Sequence, residues 1–203
     1  SNPGAAFGLS LLSHLLMAQS RTAQAKLAAL RAYEADPYFA MARQTIWRLF
    51  QTSLELEQST EARRWCEEGG RRFPEYFRFT ECRLWLFALK DQKPEIDQLW
   101  RSYGRYLEVS PPNAVFNRHY GLMLVAIGLA RAGLRDSPVS TALRARADST
   151  VDQTRDLALL EAIARTLLGD RDEALRQLDV YYTANPHLRA SMAQDQSWWW
   201  RDL

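Results

Sequence analysis

Ala25-Lys26-Leu27-Ala28-Ala29-Leu30-Arg31-Ala32-Tyr33-Glu34-Ala35-Asp36-Pro37 reads as a helix brought to a stop. Ala25, Ala29, Ala32 and Tyr33 recur at helical spacing. The proline cannot continue the helix and drives its predecessor out of the α region. The same ending returns at Arg72-Phe73-Pro74, Ser110-Pro111-Pro112 and Ala184-Asn185-Pro186. Pro37, Pro74 and Pro111 are 37 residues apart, and Pro186 lies 75 beyond Pro111, close to two further periods. Periods of about 20 to 50 residues mark stacked supersecondary units rather than one globule.

Each period reads as helix, turn, helix. Leu9, Leu12, Leu16 and Met17 form the first helix, with a polar break at Gln19 to Thr22 before the stretch quoted above. The second unit runs from Tyr38 to about Leu56 with Ile46, Leu49, Phe50 and Leu54 inward. It resumes with Ala62, Trp65, Cys66 and Gly69. The third carries Phe79, Leu84, Leu86 and Phe87, then Pro94 as a helix starter and Ile96, Leu99, Trp100, Tyr103 and Tyr106. The fourth extends through Leu122, Leu124, Ile127 and Leu129, and Ser137-Pro138 caps and opens its second helix. The fifth runs from about Val151 to Leu168. After Gly169 it restarts with Asp170 as N-cap and Glu173 three residues on, the spacing of a capping box. No stretch alternates with a period of two. The expectation is an all-α chain of ten helices in five hairpins, a single domain over residues 1–203.

Two of the second helices align position by position: Ala25 with Ala174, Ala32 with Tyr181, Tyr33 with Tyr182, Ala35 with Ala184 and Pro37 with Pro186. This pattern resembles the second half of a tetratricopeptide repeat. Leu168-Gly169-Asp170 through Ala174 is similar to that family's helix-turn-helix junction. The resemblance implies a right-handed superhelical solenoid of about five hairpins, closed by a C-terminal capping segment. Gly169-Asp170-Arg171-Asp172-Glu173-Ala174 and the Trp198-Trp199-Trp200-Arg201-Asp202-Leu203 ending also resemble the tails of repeat regions appended to bacterial Ser/Thr kinases and cyclase-like regulators.

Composition excludes more than it identifies. With 47% hydrophobic and 25% charged residues, the chain can bury a core without depending on disulfides. Twenty-six basic residues against 24 acidic ones leave +2, too little for a nucleic-acid or acidic-membrane surface. No apolar run approaches the ~20 residues of a membrane span. Cys66 and Cys82 read as free buried thiols, with pairing open if neighbouring helices bring them together. No leader is visible at the start, and the cytoplasm is the expected compartment.

Chemistry is sparse. Gly69-Gly70 precedes no Lys-Ser or Lys-Thr and reads as a helix C-terminus rather than a phosphate loop. His14, His119 and His187 fall in different units with no metal-ligand spacing. In Arg63-Arg64-Trp65-Cys66-Glu67-Glu68-Gly69-Gly70-Arg71-Arg72, opposite charges four apart make a self-neutralising solvated face. The reading is therefore neither an enzyme nor a metal or cofactor protein.

By analogy with the family, the inner surface is formed by the first helix of each hairpin and takes a peptide or partner helix. The expected contact residues are Ser10, His14, Trp47, Gln51, Arg78, Glu81, Trp85 and Arg118. Trp47 and Trp85 would be apolar anchors, and Arg78 and Arg118 would pair with acidic groups. Trp198, Trp199 and Trp200 cap the last hairpin or offer an edge for self-association. The alternative is a sensor domain of a larger bacterial signalling protein that binds a small ligand or controls an attached domain.

Overall fold

The computed structural model describes residues 3–91, 93–111, 114–146, 150–192 and 199. Every regular element among them is helical. The described residues form two compact units, one of 3–82 with 191 and 192, the other of 83–190 with Trp199.

In the first unit, α1 (Pro3–Ala18) packs on α2 (Thr22–Ala35), and α3 (Ala42–Glu55) packs on α4 (Ser59–Arg72). α3 also touches both α2 and α1. α5 (Arg78–Leu86) begins in this unit and ends in the second. The second unit continues with α6 (Ile96–Val109), α7 (Val115–Arg131), α8 (Asp136–Ala145), α9 (Asp156–Leu168) and α10 (Arg171–Ala184). A 3-10 turn at Pro186–Leu188 follows, and a short α11 (Arg189–Met192) begins in this unit and ends in the first. Within the second unit α7 packs on α6, α8 and α9, and α9 packs on α10.

The prolines stop the helices as expected. α2, α4, α6 and α10 are each 14 residues long, and each ends two residues before Pro37, Pro74, Pro111 or Pro186. The other end of the hairpin is equally regular. Ser20, Glu57, Gly133 and Gly169 all have left-handed backbone, with φ between 54° and 85°. Each follows the end of α1, α3, α7 or α9 within two residues. The next amide donates five residues back in every case: Arg21 to Leu16, Gln58 to Ser53, Leu134 to Leu129 and Asp170 to Arg165. The left-handed residue itself donates three residues back. This is one Schellman closure used four times.

Packing in the first unit depends on small residues. α2 buries Ala25, Ala28, Ala29 and Ala32, which lets α1 approach closely enough to bury Ala6, Ser10 and Ser13 with Leu16. Ser13 Oγ donates to the Ala25 carbonyl at 2.8 Å, fastening the pair. The larger apolar residues of α1 turn outward in consequence, so that Leu12 is exposed together with Phe7, Leu11 and Leu15. Ile46, Leu49, Phe50, Leu54, Ala62 and Trp65 are buried as read from the sequence. In the second unit Leu99, Tyr103 and Tyr106 are buried, whereas Ile96 and Trp100 on the same helix are exposed.

Gly69 and Gly70 lie in the last turn of α4, as expected of a helix end, although the helix runs on to Arg72. Several other local expectations are corrected. Cys66 and Cys82 are joined as a disulfide with Cα atoms 5.8 Å apart, because α5 starts directly over the glycine-lined side of α4. α8 begins at Asp136, with Ser137 already in its first turn. α9 begins at Asp156 rather than Val151: Arg155 is left-handed, and the buried Asp152 carboxylate accepts the amides of Asp156 (3.0 Å) and Leu157 (3.2 Å). Asp170 is the N-cap of α10 but makes no side-chain cap bond. Its carboxylate instead accepts from Arg165 at 3.1 Å, and Glu173 is engaged by Arg146, Arg176 and Gln177.

Candidate functional site

Bonds between neighbouring hairpins of the first unit recur at nearly one sequence interval. Ser10 and Thr45 share a buried hydroxyl bond of 2.9 Å at a separation of 35 residues. One turn along, Arg48 Nη1 donates to Nδ1 of His14 at 3.0 Å across 34 residues. Between α2 and α4, the Tyr33 hydroxyl donates to Glu68 at 3.1 Å across 35 residues. Each helix therefore meets the equivalent position one hairpin later.

On α3, Trp47 and Gln51 are half-buried and one turn apart. The Trp47 ring packs against Phe50 at 5.2 Å and edge-on to Phe79 at 6.2 Å. The Arg78 guanidinium, from the first turn of α5, lies 5.5 Å from the centre of the same indole. Arg78 Nη1 donates to both carboxylate oxygens of Glu81, at 3.0 and 2.8 Å, and Glu81 is only 1% exposed. Contacts thus run from Ser10 and His14 on α1 to Thr45 and Arg48 on α3, and from Trp47 on α3 to Arg78, and through it Glu81, on α5, with Gln51 one turn along α3 from Trp47. Ser10 and Glu81 are buried; His14 is exposed, and Trp47, Gln51 and Arg78 are half-buried.

The other two expected residues belong to the second unit. Trp85 is buried, with its ring 6.3 Å from that of Trp199. Arg118 is exposed on α7, and its carbonyl accepts from the Tyr103 hydroxyl at 3.2 Å. It lines a cavity of about 240 Å³ with Leu107, Ser110, Pro111 and Ala114. Trp198 and Trp200 lie outside the described residues.

A second polar centre lies in the second unit. Glu161, 1% exposed, accepts from Arg146 at 2.9 and 3.0 Å and from Arg165 at 3.1 and 3.3 Å. Its bond to Glu161 raises the Arg146 pKa above the ordinary guanidinium value. Beside this pair is a cavity of about 280 Å³ that also reaches Asp152, Arg155 and Gln177. Burial pushes the Asp152 carboxyl up, against the two amides that bond it. These charges satisfy one another, which is what a structural network requires.

Sequence reasoning missed Arg48 and Arg43. Arg43 places its guanidinium 4.5 Å from the centre of the Tyr76 ring, and Arg48 joins α1 to α3. The signal for Arg48 was the near-repeat interval itself, which carries His14 onto it. Among the described residues, no three histidine, cysteine or acidic side chains cluster in a way that would hold a metal ion. No helix among them is long and apolar enough to cross a membrane. Comparisons of the chain with protein-family models, curated proteins and solved structures give no match.

Proposed function

We propose that this chain is a non-catalytic protein–protein interaction module of tetratricopeptide-like hairpins, arranged as a right-handed superhelical ribbon, whose first-helix face takes a peptide or partner helix. The observation that carries this reading is the contact chain from α1 through α3 to α5. It presents an aromatic ring, a carboxamide and basic groups side by side on rigid helices. Such a face offers many modest contacts in place of one reactive pocket. Trp47 supplies the apolar anchor, with Arg78 stacked beside it. The near-constant interval of the inter-hairpin bonds, the equal second helices and the recurring Schellman closure support a stacked-repeat reading.

Affinity purification with the wild-type chain and a Trp47→Ala, Arg78→Ala double variant tests the assignment. The double variant is expected to lose the partners that the wild type retains while keeping its helical content. Equal recovery by both forms rejects the first-helix face as the binding surface.

A further inference from the structure

Arg48 differs from most arginines with assigned contacts in being charged, partly desolvated and without an acid. Arg64, Arg71, Arg105, Arg165 and Arg176 each pair with a carboxylate on their own helix. No carboxylate among the described residues pairs with Arg48. Its one side-chain hydrogen bond among them is to His14. Its Nε is buried with no acceptor, as is the carboxamide oxygen of Gln44, one turn earlier, with no donor. Burial pushes its pKa below the ordinary guanidinium value, yet an arginine stays protonated.

No carboxylate of α1 or α3 bonds to it among the described residues. α1 has no charged side chain from Pro3 to Ala18. The only acid of α3 is Glu55, which accepts from Thr22 on α2 at 2.9 Å. Arg43, on the same helix, is stacked on Tyr76. On α3, Arg43 and Arg48 thus carry positive charge with no carboxylate bonded to either among the described residues, while the α4 surface is laced with its own ion pairs. A half-buried guanidinium that lacks an acid gains more from a carboxylate than a solvated one does.

We propose that Arg48, braced by His14 and set between Gln44 and Gln51 on α3, receives an acidic side chain, so that the occupant of this face is an internal acidic segment of a partner protein. The inference rests on the reading of the first-helix face as the binding surface and adds the chemistry of its ligand. The carboxylate would meet the terminal nitrogens of Arg48, with an apolar neighbour in the segment reaching Trp47 one position away.

Fluorescence anisotropy with the full chain tests this, using three short labelled amphipathic peptides. One carries glutamates on its polar face and an amidated C-terminus, the second has glutamine in place of every glutamate, and the third is the glutamine peptide with a free C-terminal carboxylate. The glutamate peptide is expected to bind about ten-fold more tightly than the amidated glutamine peptide. Arg48→Gln should abolish that difference, Arg48→Lys should keep part of it, and Arg64→Gln on α4 should leave it intact. Circular dichroism checks that each variant is folded. Equal affinity for the two amidated peptides, an undiminished difference in Arg48→Gln, or tight binding of the free-acid glutamine peptide alone overturns the assignment. If Trp47→Ala weakens both amidated peptides equally while wild type does not distinguish them, the face survives and Arg48 does not. Binding of none of the peptides overturns both.

Discussion

The ring of Phe79 occupies the space in which a side chain at Gly69 would begin. A Cβ there would stand 2.0 Å from Cε1 and 2.2 Å from Cδ1 of that ring, itself only 1% exposed. The absence of a side chain in the last turns of α4 is what allows α5 to start against it. The Cys66–Cys82 bridge then crosses the same contact.

Gly69→Ala should therefore destabilise the protein by about 1–3 kcal/mol, as overpacking of a rigid core does. Gly104, exposed in the middle of α6 with nothing within 4 Å of the point a Cβ would occupy, should behave oppositely. Gly104→Ala is expected to add ~0.5–1 kcal/mol through helix propensity. Urea denaturation of the two variants checks the signs.

Ser20 and Glu57 hold the left-handed position that glycine holds in the other two closures, with φ of 56° and 54°. Each non-glycine residue there carries a conformational cost of roughly 1 kcal/mol. Ser20→Gly and Glu57→Gly should each raise stability by a fraction of that cost, since glycine also loosens the unfolded chain. A lowered thermal midpoint in both would contradict the shared closure.

The disulfide closes a loop between residues 16 apart, and both sulfurs are buried. Removing it by Cys66→Ser, Cys82→Ser is expected to cost about 2–4 kcal/mol. Thiol alkylation of the unreduced protein in denaturant, read by mass, should add no label.

Glu68 gathers Tyr33, Arg71 and Arg72. Burial alone would raise its pKa, but the bonds from Arg71 and Tyr33 outweigh it and hold the carboxyl below the ordinary glutamate value. A depressed carboxyl contributes stability that is complete above its unfolded pKa and is lost as pH falls through the folded one. Stability of the wild type should thus decline on acidification below about pH 4.5, and Glu68→Gln should flatten that part of the profile. Urea midpoints measured across the acid range check this; identical slopes for the two proteins count against the Glu68 cluster.

The sequence shows the rhythm of the fold better than its joints. Pro37, Pro74, Pro111 and Pro186 announce where helices stop because proline acts locally. Gly133 and Gly169 announce their turns for the same reason, but Ser20 and Glu57 adopt the same backbone without a residue type that advertises it. The start of α9 depends on the Asp152 carboxylate, several residues before the amides it caps. Pairing of Cys66 with Cys82 depends on the approach of α5 to α4, which Gly69 permits and no local pattern states. Of the candidate site, Trp47 and Arg78 stand out as residue types on a first helix. Arg48 does not, because its significance lies in having no acid near it, a property of the neighbouring helix 34 residues away.

Photo-crosslinking from within the first-helix face tests the central claim most directly. Gln51→p-benzoylphenylalanine on α3 and Glu67→p-benzoylphenylalanine on the exposed side of α4 report on the two surfaces in otherwise identical proteins. The account predicts that partner peptides are captured from position 51 and that capture falls away from position 67. Capture from position 67 equal to or greater than that from position 51 would contradict it.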